Sequence, residues 1–78
     1  MNQRYEVLIA SVPDREEVVA EIFIDDVLWG ELTDEGRPMN FEVYPHPSGE
    51  PWTVDVDDLL RAIQSAKDRL LAMGPKRS

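Results

Sequence analysis

The sequence predicts an α+β fold, in which an antiparallel four-stranded sheet, arranged as a meander, carries one C-terminal α-helix on one face. Four short runs rich in β-branched and aromatic residues come first, separated by turn-forming residues, and one stretch with helical apolar spacing follows them. The links between the runs are short, which favours antiparallel pairing, because parallel strands need long crossover connections. At 78 residues the chain is expected to form a single domain, residues 1–78.

The strands are expected at about residues 5–12, 17–25, 27–32 and 38–44. Pro13 opens the turn between the first and second strands. Asp25 and Asp26 separate the second strand from the third, and two turn-capable residues between apolar runs predict a tight hairpin. Pro38 is expected at the start of the fourth strand or on a sheet edge, because proline cannot donate to the hydrogen-bond ladder.

The helix is predicted over about residues 56–73, with residues 74–78 as a tail. Asp55 is the expected N-cap, and Asp57 lies four residues before Arg61, the spacing of a helical ion pair. The apolar residues of this stretch predict one stripe that packs on the sheet, formed by Val56, Leu59, Leu60, Ile63, Ala66, Leu70 and Met73.

Side chains alternate along a strand, so each residue can be assigned to a face by parity. One glutamate in each strand marks the outward face, and the residues of opposite parity are apolar or glycine: Val7, Ile9, Ala20, Ile22, Ile24, Leu28, Gly30, Leu32, Phe41 and Val43. This set is expected to pack under the helix. The outward face is then predicted to carry Glu6, Leu8, Ala10, Val19, Glu21, Phe23, Val27, Trp29, Glu31, Asn40, Glu42 and Tyr44.

The predicted outward face combines carboxylates with aromatic side chains. An ordinary solvated face, a protein-binding face and a homodimer interface are all consistent with this composition. In the protein-binding interpretation, the aromatic residues are anchors and the acidic residues pair with Lys or Arg of a partner. The predicted partner-binding residues are Glu21, Phe23, Asp25, Asp26, Trp29, Glu31, Asp34, Glu35, Glu42 and Tyr44.

The charge of the chain limits its expected partners. It has 16 acidic and 8 basic residues, a formal net charge of −8, and residues 14–35 alone contain nine acids and one base. Nucleic acids and anionic membranes bind through Lys and Arg, so neither is an expected partner. A concentrated acidic region favours encounter with a basic protein. No apolar run has the length of a membrane span or a secretory signal, so a cytoplasmic location is expected.

No pattern in the sequence predicts a catalytic or metal site. There is no cysteine, and the single histidine, His46, lies between two prolines without an implied nucleophile or carboxylate partner. The glycines are scattered, so no phosphate-binding loop is indicated. The Asp55–Asp58 cluster lacks the spacing of a calcium loop and is explained by helix capping. We therefore expect no enzyme activity, no cofactor and no metal.

The segment from Val18 to Leu71 contains a recognisable order of motifs. An acidic-hydrophobic hairpin (VVAEIFIDDVLWGEL) is followed by a short strand (NFEVY) and by a closing helix of the form D-x-x-x-x-A-x-x-x-A-K-x-x-L, supplied here by Asp57, Ala62, Ala66, Lys67 and Leu70. This order resembles small bacterial immunity proteins of polymorphic-toxin and contact-dependent growth inhibition systems. The resemblance implies a small protein that binds and neutralises a cognate toxin, and it implies no particular binding residues.

The order of strands and helix also resembles that of antitoxins with a partial RNase H fold. Those proteins add a further strand and often a DNA-binding segment, whereas only Lys76 and Arg77 supply basic residues after the helix here, so DNA binding is not expected. The leading hypothesis is a non-enzymatic inhibitor of a basic toxin domain. The alternative is a small adaptor or structural subunit that homodimerises or joins a larger complex, including the antitoxin of a toxin–antitoxin pair.

Overall fold

The computed structural model describes residues 3–12, 17–33 and 39–73, within which four strands form one sheet and one helix packs on it. The elements are β1 (Tyr5–Val12), β2 (Glu17–Ile24), β3 (Val27–Thr33), β4 (Asn40–Val43) and α1 (Val56–Met73). The strand order is β1-β2-β3-β4, and every neighbouring pair is antiparallel. The predicted α+β meander with a C-terminal helix is confirmed.

Strand ends differ from the predicted bounds where turns begin. β2 ends at Ile24 because Asp25 already has a left-handed backbone conformation. β3 continues to Thr33, which pairs with Asn40 on β4. β4 itself is short, Asn40–Val43, and is followed by a segment with three prolines. The predicted strand start at residue 38 and the predicted tail at 74–78 lie outside the described residues.

The β2–β3 connection is the tight hairpin that the sequence predicts. Asp25 and Asp26 have φ values of 52° and 71°, the positive pair that a type I′ turn requires. Aspartate tolerates this region better than most residues. Both carboxylates also bond to the neighbouring strand end: the backbone N–H of Arg4 donates to Asp25 Oδ1 at 2.9 Å, and the Arg4 guanidinium pairs with Asp26.

A β-bulge interrupts the pairing of β2 with β3. Ile22 lies opposite Gly30, but the next residue, Phe23, lies opposite Leu28, so Trp29 is an extra residue on β3. Gly30 is required beside it, because a Cβ atom there would lie 2.7 Å from the backbone carbonyl oxygen of Glu42.

The bulge reverses the side-chain parity of the start of β3. Trp29 was predicted to face outward, and this prediction is wrong: only 6% of its surface is exposed, and its ring packs edge-on against Phe41 with centroids 5.1 Å apart. Val27 lies opposite Ile24 on the core face, whereas Leu28 lies opposite Phe23 on the outer face, the reverse of the predicted assignment.

The core lies between the sheet and the helix, which crosses β1 and β2. Its buried members are Ala20, Ile22, Ile24, Trp29, Leu32, Ala62, Ala66 and Leu70. The buried stripe of the helix differs from the predicted one. Val56 and Leu60 are exposed, whereas Ala62, which was not in the predicted stripe, is buried. Since α1 covers only half of the sheet, the β4 side chains on the same face, Phe41 and Val43, remain exposed.

The start of α1 is fixed by its N-cap. Asp55 Oδ1 accepts the backbone N–H of Asp58 at 3.0 Å, as predicted for a capping aspartate. Arg61 forms its ion pair with Asp58, three residues earlier, rather than with Asp57. The interaction with the helix dipole is the same in either case, because Asp57 and Asp58 both place a carboxylate in the first turn, where the dipole favours negative charge.

Candidate functional site

Three glutamates form a row across the sheet. Glu21 on β2 lies opposite Glu31 on β3, and Glu31 lies opposite Glu42 on β4. The residues next to Glu21, Ala20 and Ile22, are buried under the helix, so the three carboxylates lie on the other face. We call Glu21, Glu31 and Glu42 the acidic row. The register therefore places these predicted site residues side by side.

Aromatic and apolar side chains border the acidic row. Leu8 on β1 lies opposite Glu21, at one end of the acidic row, and is 47% exposed. Phe23, half-buried, lies in the next row between Glu6 and Leu28. We call the acidic row, together with Leu8, Phe23 and Tyr44, the acidic face; Tyr44 directly follows β4.

Tyr44 is tied to the acidic row by a hydrogen bond. Its hydroxyl donates to Glu31 Oε1 at 2.8 Å. This bond raises the pKa of Tyr44 to about 12, assisted by burial and by the negative charges of Glu31, Glu42 and Glu21. The negative charges of all three carboxylates thus act on this one phenol.

The acidic row is a local cost to the fold. Cross-strand neighbours have Cβ atoms about 4.5–5.5 Å apart, and like charges directly opposite each other destabilise a sheet. Within the described part of the chain, the ion pairs lie elsewhere, at the β2–β3 turn and in the first turns of α1. A Lys or Arg side chain from another molecule would relieve the repulsion.

The remaining predicted site residues lie apart from the row. Asp25 and Asp26 are exposed at the tip of the β2–β3 hairpin, and the carboxylate of Asp26 is already paired with Arg4. Asp34 and Glu35 fall outside the described residues. Trp29 lies in the core on the helix side of the sheet, so its ring is not available to a partner on the acidic face.

Sequence reasoning overlooked Trp52, which holds the segment after β4. Its indole Nε1–H donates to the Tyr44 carbonyl at 2.8 Å, and its ring packs edge-on against His46 with centroids 4.6 Å apart. His46 Nδ1 in turn accepts the Ser48 backbone N–H at 3.0 Å. The histidine thus has a structural role in this loop. A tryptophan in a proline-rich loop was the available signal, since indole N–H groups generally find a partner when they are partly buried.

A second surface, a groove of about 780 Å³, lies between α1 and the edge of β1. Both charge signs line it, through Glu6, Asp58, Arg61 and Arg69. Arg69 spans the groove, because its Nη1 donates to the Val7 carbonyl at 2.7 Å. The mixed charge and this cross-link distinguish the groove from the uniformly negative acidic face.

The described residues contain no helix with the length and apolar character of a membrane span, and no group of three or more potential ligands positioned to hold a metal ion. Comparison with known proteins adds no functional assignment: no family model, no curated protein and no solved structure matches the chain.

Proposed function

We propose that this protein is a non-enzymatic immunity or inhibitor protein that binds and neutralises a basic bacterial toxin domain through its acidic face. The observation that carries the proposal is the register of Glu21, Glu31 and Glu42, which concentrates three carboxylates on the sheet face away from α1. Such a protein would act in the cytoplasm of the cell that it protects.

The composition of the acidic face supports a protein partner. Phe23 and Tyr44 offer aromatic surface next to the carboxylates, and both are half-buried, so they are held in place before binding. Aromatic residues are enriched at the centre of protein interfaces, and pre-ordered side chains lose little entropy on association. The carboxylates steer a basic partner and disfavour acidic ones.

The repulsion within the acidic row also supports this proposal. Two adjacent like-charge pairs destabilise the free protein, and a partner that places cations among them adds attractions that offset both repulsions. A surface selected only for stability would place opposite charges across the strands. The row is therefore better explained by binding than by folding.

Co-expression tests the proposal. The C-terminal domain of the protein encoded immediately upstream of this chain is expressed in bacteria with and without the chain, and growth is followed. We expect the domain to arrest growth and this chain to restore it. Arrest that persists despite soluble, folded chain would refute the proposal.

A charge-matched pair of variants links protection to the acidic face. The first variant is Glu21→Gln, Glu31→Gln and Glu42→Gln. The second removes the same number of charges at exposed positions elsewhere, as Glu50→Gln, Asp57→Asn and Asp68→Asn. We expect the first variant to lose protection and the second to retain it. Equal protection by both would mean that the acidic face is not the binding surface.

A small adaptor that acts by homodimerisation is the second candidate, favoured by the exposed apolar side chains Phe41 and Val43 at the sheet edge. Sedimentation of the isolated protein over a range of concentrations separates the candidates. A stable dimer supports the adaptor, and a monomer throughout supports the inhibitor.

A further inference from the structure

The two edges of the sheet differ in how their backbone groups are covered. At β1 the Arg69 guanidinium occupies the outward carbonyl of Val7, with a bond of 2.7 Å. At β4 the described residues supply a neighbouring strand on one side only, β3. A strand edge with free N–H and C=O groups is a template for pairing with another chain.

The direction of the free groups on β4 follows from its pairing with β3. The backbone N–H of Tyr44 donates to the Trp29 carbonyl at 2.9 Å. Because backbone groups alternate in direction along an antiparallel strand, Phe41 and Val43 direct their N–H and C=O groups to the open edge. Glu42, between them, lies where an added strand would form a non-hydrogen-bonded pair, in which opposing Cα atoms approach to about 4.5 Å.

The side chains of β4 present a different chemistry on each face. Phe41 and Val43 lie on the helix side of the sheet and are 39% and 54% exposed, since α1 does not extend over them. Glu42 lies on the opposite face, exposed, at the open end of the acidic row. An added strand would therefore meet apolar surface on one face and a carboxylate on the other.

We propose that the β4 edge receives an extended, antiparallel segment of the basic partner, with Lys or Arg opposite Glu42 and apolar side chains opposite Phe41 and Val43. This inference rests on the proposed function and specifies how the partner is held. Charge complementarity selects the occupant, because a basic strand continues the acidic row with the opposite sign. A second copy of this chain paired through β4 would instead bring two acidic rows together.

A synthetic peptide tests the edge without the natural partner. The probe is acetyl-Lys-Val-Lys-Val-Lys-amide, whose valines would lie opposite Phe41 and Val43. One control peptide carries Glu in place of every Lys, and another is N-methylated at both valines, which removes the N–H groups that would bond to β4. The readout is amide hydrogen exchange of the full chain, followed by NMR at each β4 residue.

We expect saturating Lys peptide to slow exchange of the Phe41 and Val43 amides by about tenfold or more, the effect of a new hydrogen-bonded neighbour. Neither control peptide should do so. Unchanged exchange, or equal protection by the Lys and Glu peptides, would overturn the inference. Protection that appears without peptide and grows with protein concentration would overturn it too, and would assign the edge to a second copy.

Growth protection separates failure of this inference from failure of the proposed function. Val43→Pro removes an outward backbone N–H and leaves the bonds between β3 and β4 in place. Val43→Thr keeps this backbone N–H and substitutes a side chain of similar size. If both variants fold, as judged by circular dichroism, only the proline variant should lose protection. Equal protection by both contradicts the edge contact alone, and a wild-type chain that never protects contradicts the proposed function itself.

Discussion

Replacing Trp29 with alanine tests the bulge, on which the assignment of the two sheet faces depends. Trp29 is 6% exposed and belongs to the core cluster. A buried tryptophan removes roughly 150–250 Å² from water, which at about 25 cal/mol per Å² corresponds to about 4–6 kcal/mol. Measured costs of truncating a buried Phe or Trp are about 3–5 kcal/mol, so we expect Trp29→Ala to destabilise by about 4 kcal/mol.

That loss is large for a domain of this size. At about 0.05–0.15 kcal/mol per residue, a 78-residue chain has a free energy of unfolding of roughly 4–12 kcal/mol. Trp29→Ala should therefore bring the protein close to its folding threshold, and Trp29→Phe, which keeps an aromatic ring against Phe41, should recover more than half of the loss.

Urea denaturation followed by far-ultraviolet circular dichroism measures these changes, because it does not depend on the tryptophan that is removed. The control is Phe23→Ala on the acidic face, where the ring is only half-buried and its loss should cost less than half as much. If Trp29→Ala costs no more than Phe23→Ala, Trp29 is not a core residue and the bulge is wrongly assigned.

Three further predictions concern the turn, the phenol and the helix cap. Asp26→Gly should stabilise the protein by about 0.5–1 kcal/mol in chemical denaturation, because glycine adopts a φ of 71° without strain and the lost ion pair with Arg4 is exposed and contributes little; a loss of stability would contradict this reasoning. The raised pKa of Tyr44, about 12 against about 10 in the unfolded chain, means that its contribution to stability is complete below pH 10 and is lost as the pH rises toward 12. Spectrophotometric titration should find this pKa lowered in Glu31→Gln, since the hydrogen bond to the Glu31 carboxylate is the main cause of the shift, and an unchanged value would count against the bond. Asp55→Ala should cost about 1 kcal/mol through loss of the N-cap to Asp58, measured as a fall in Tm, whereas Asp55→Ser should retain most of the stability.

The elements that were predicted most accurately from the sequence depend on the chemistry of a few neighbouring residues. Asp25 and Asp26 between two apolar runs specified the hairpin, and Asp55 before an apolar periodic stretch specified the helix start. These features depend on a few neighbouring residues, whose backbone preferences are strong enough to act alone.

The bulge could not be obtained by counting alternate residues. Parity assumes an unbroken strand, and one inserted residue moved Trp29 into the core and exchanged the faces of Val27 and Leu28. Gly30 was the local signal, because an isolated glycine in a strand often marks a bulge or a close backbone approach. The glutamates after the bulge kept their predicted face, so the acidic row was unaffected.

The position of the helix over the sheet was also beyond sequence reasoning. Helical periodicity gives the face that is buried but not the strands that it covers. Because α1 packs mainly on β1 and β2, Phe41 and Val43 are exposed although their parity places them on the core side. The exposed apolar side chains of β4 are thus a consequence of tertiary packing.

The most direct test of the proposed function is the affinity of the purified candidate toxin domain, encoded immediately upstream, for the wild-type chain and for the two charge-matched variants. At about 1 kcal/mol for each lost ion pair, amide substitution of Glu21, Glu31 and Glu42 should weaken binding by about 3 kcal/mol, or roughly a hundredfold in Kd. The variant changed at Glu50, Asp57 and Asp68 should bind within about threefold of wild type, since exposed charges outside an interface act only through screened, long-range fields. Equal losses in the two variants would show that only net charge matters, and would contradict a specific role for the acidic row.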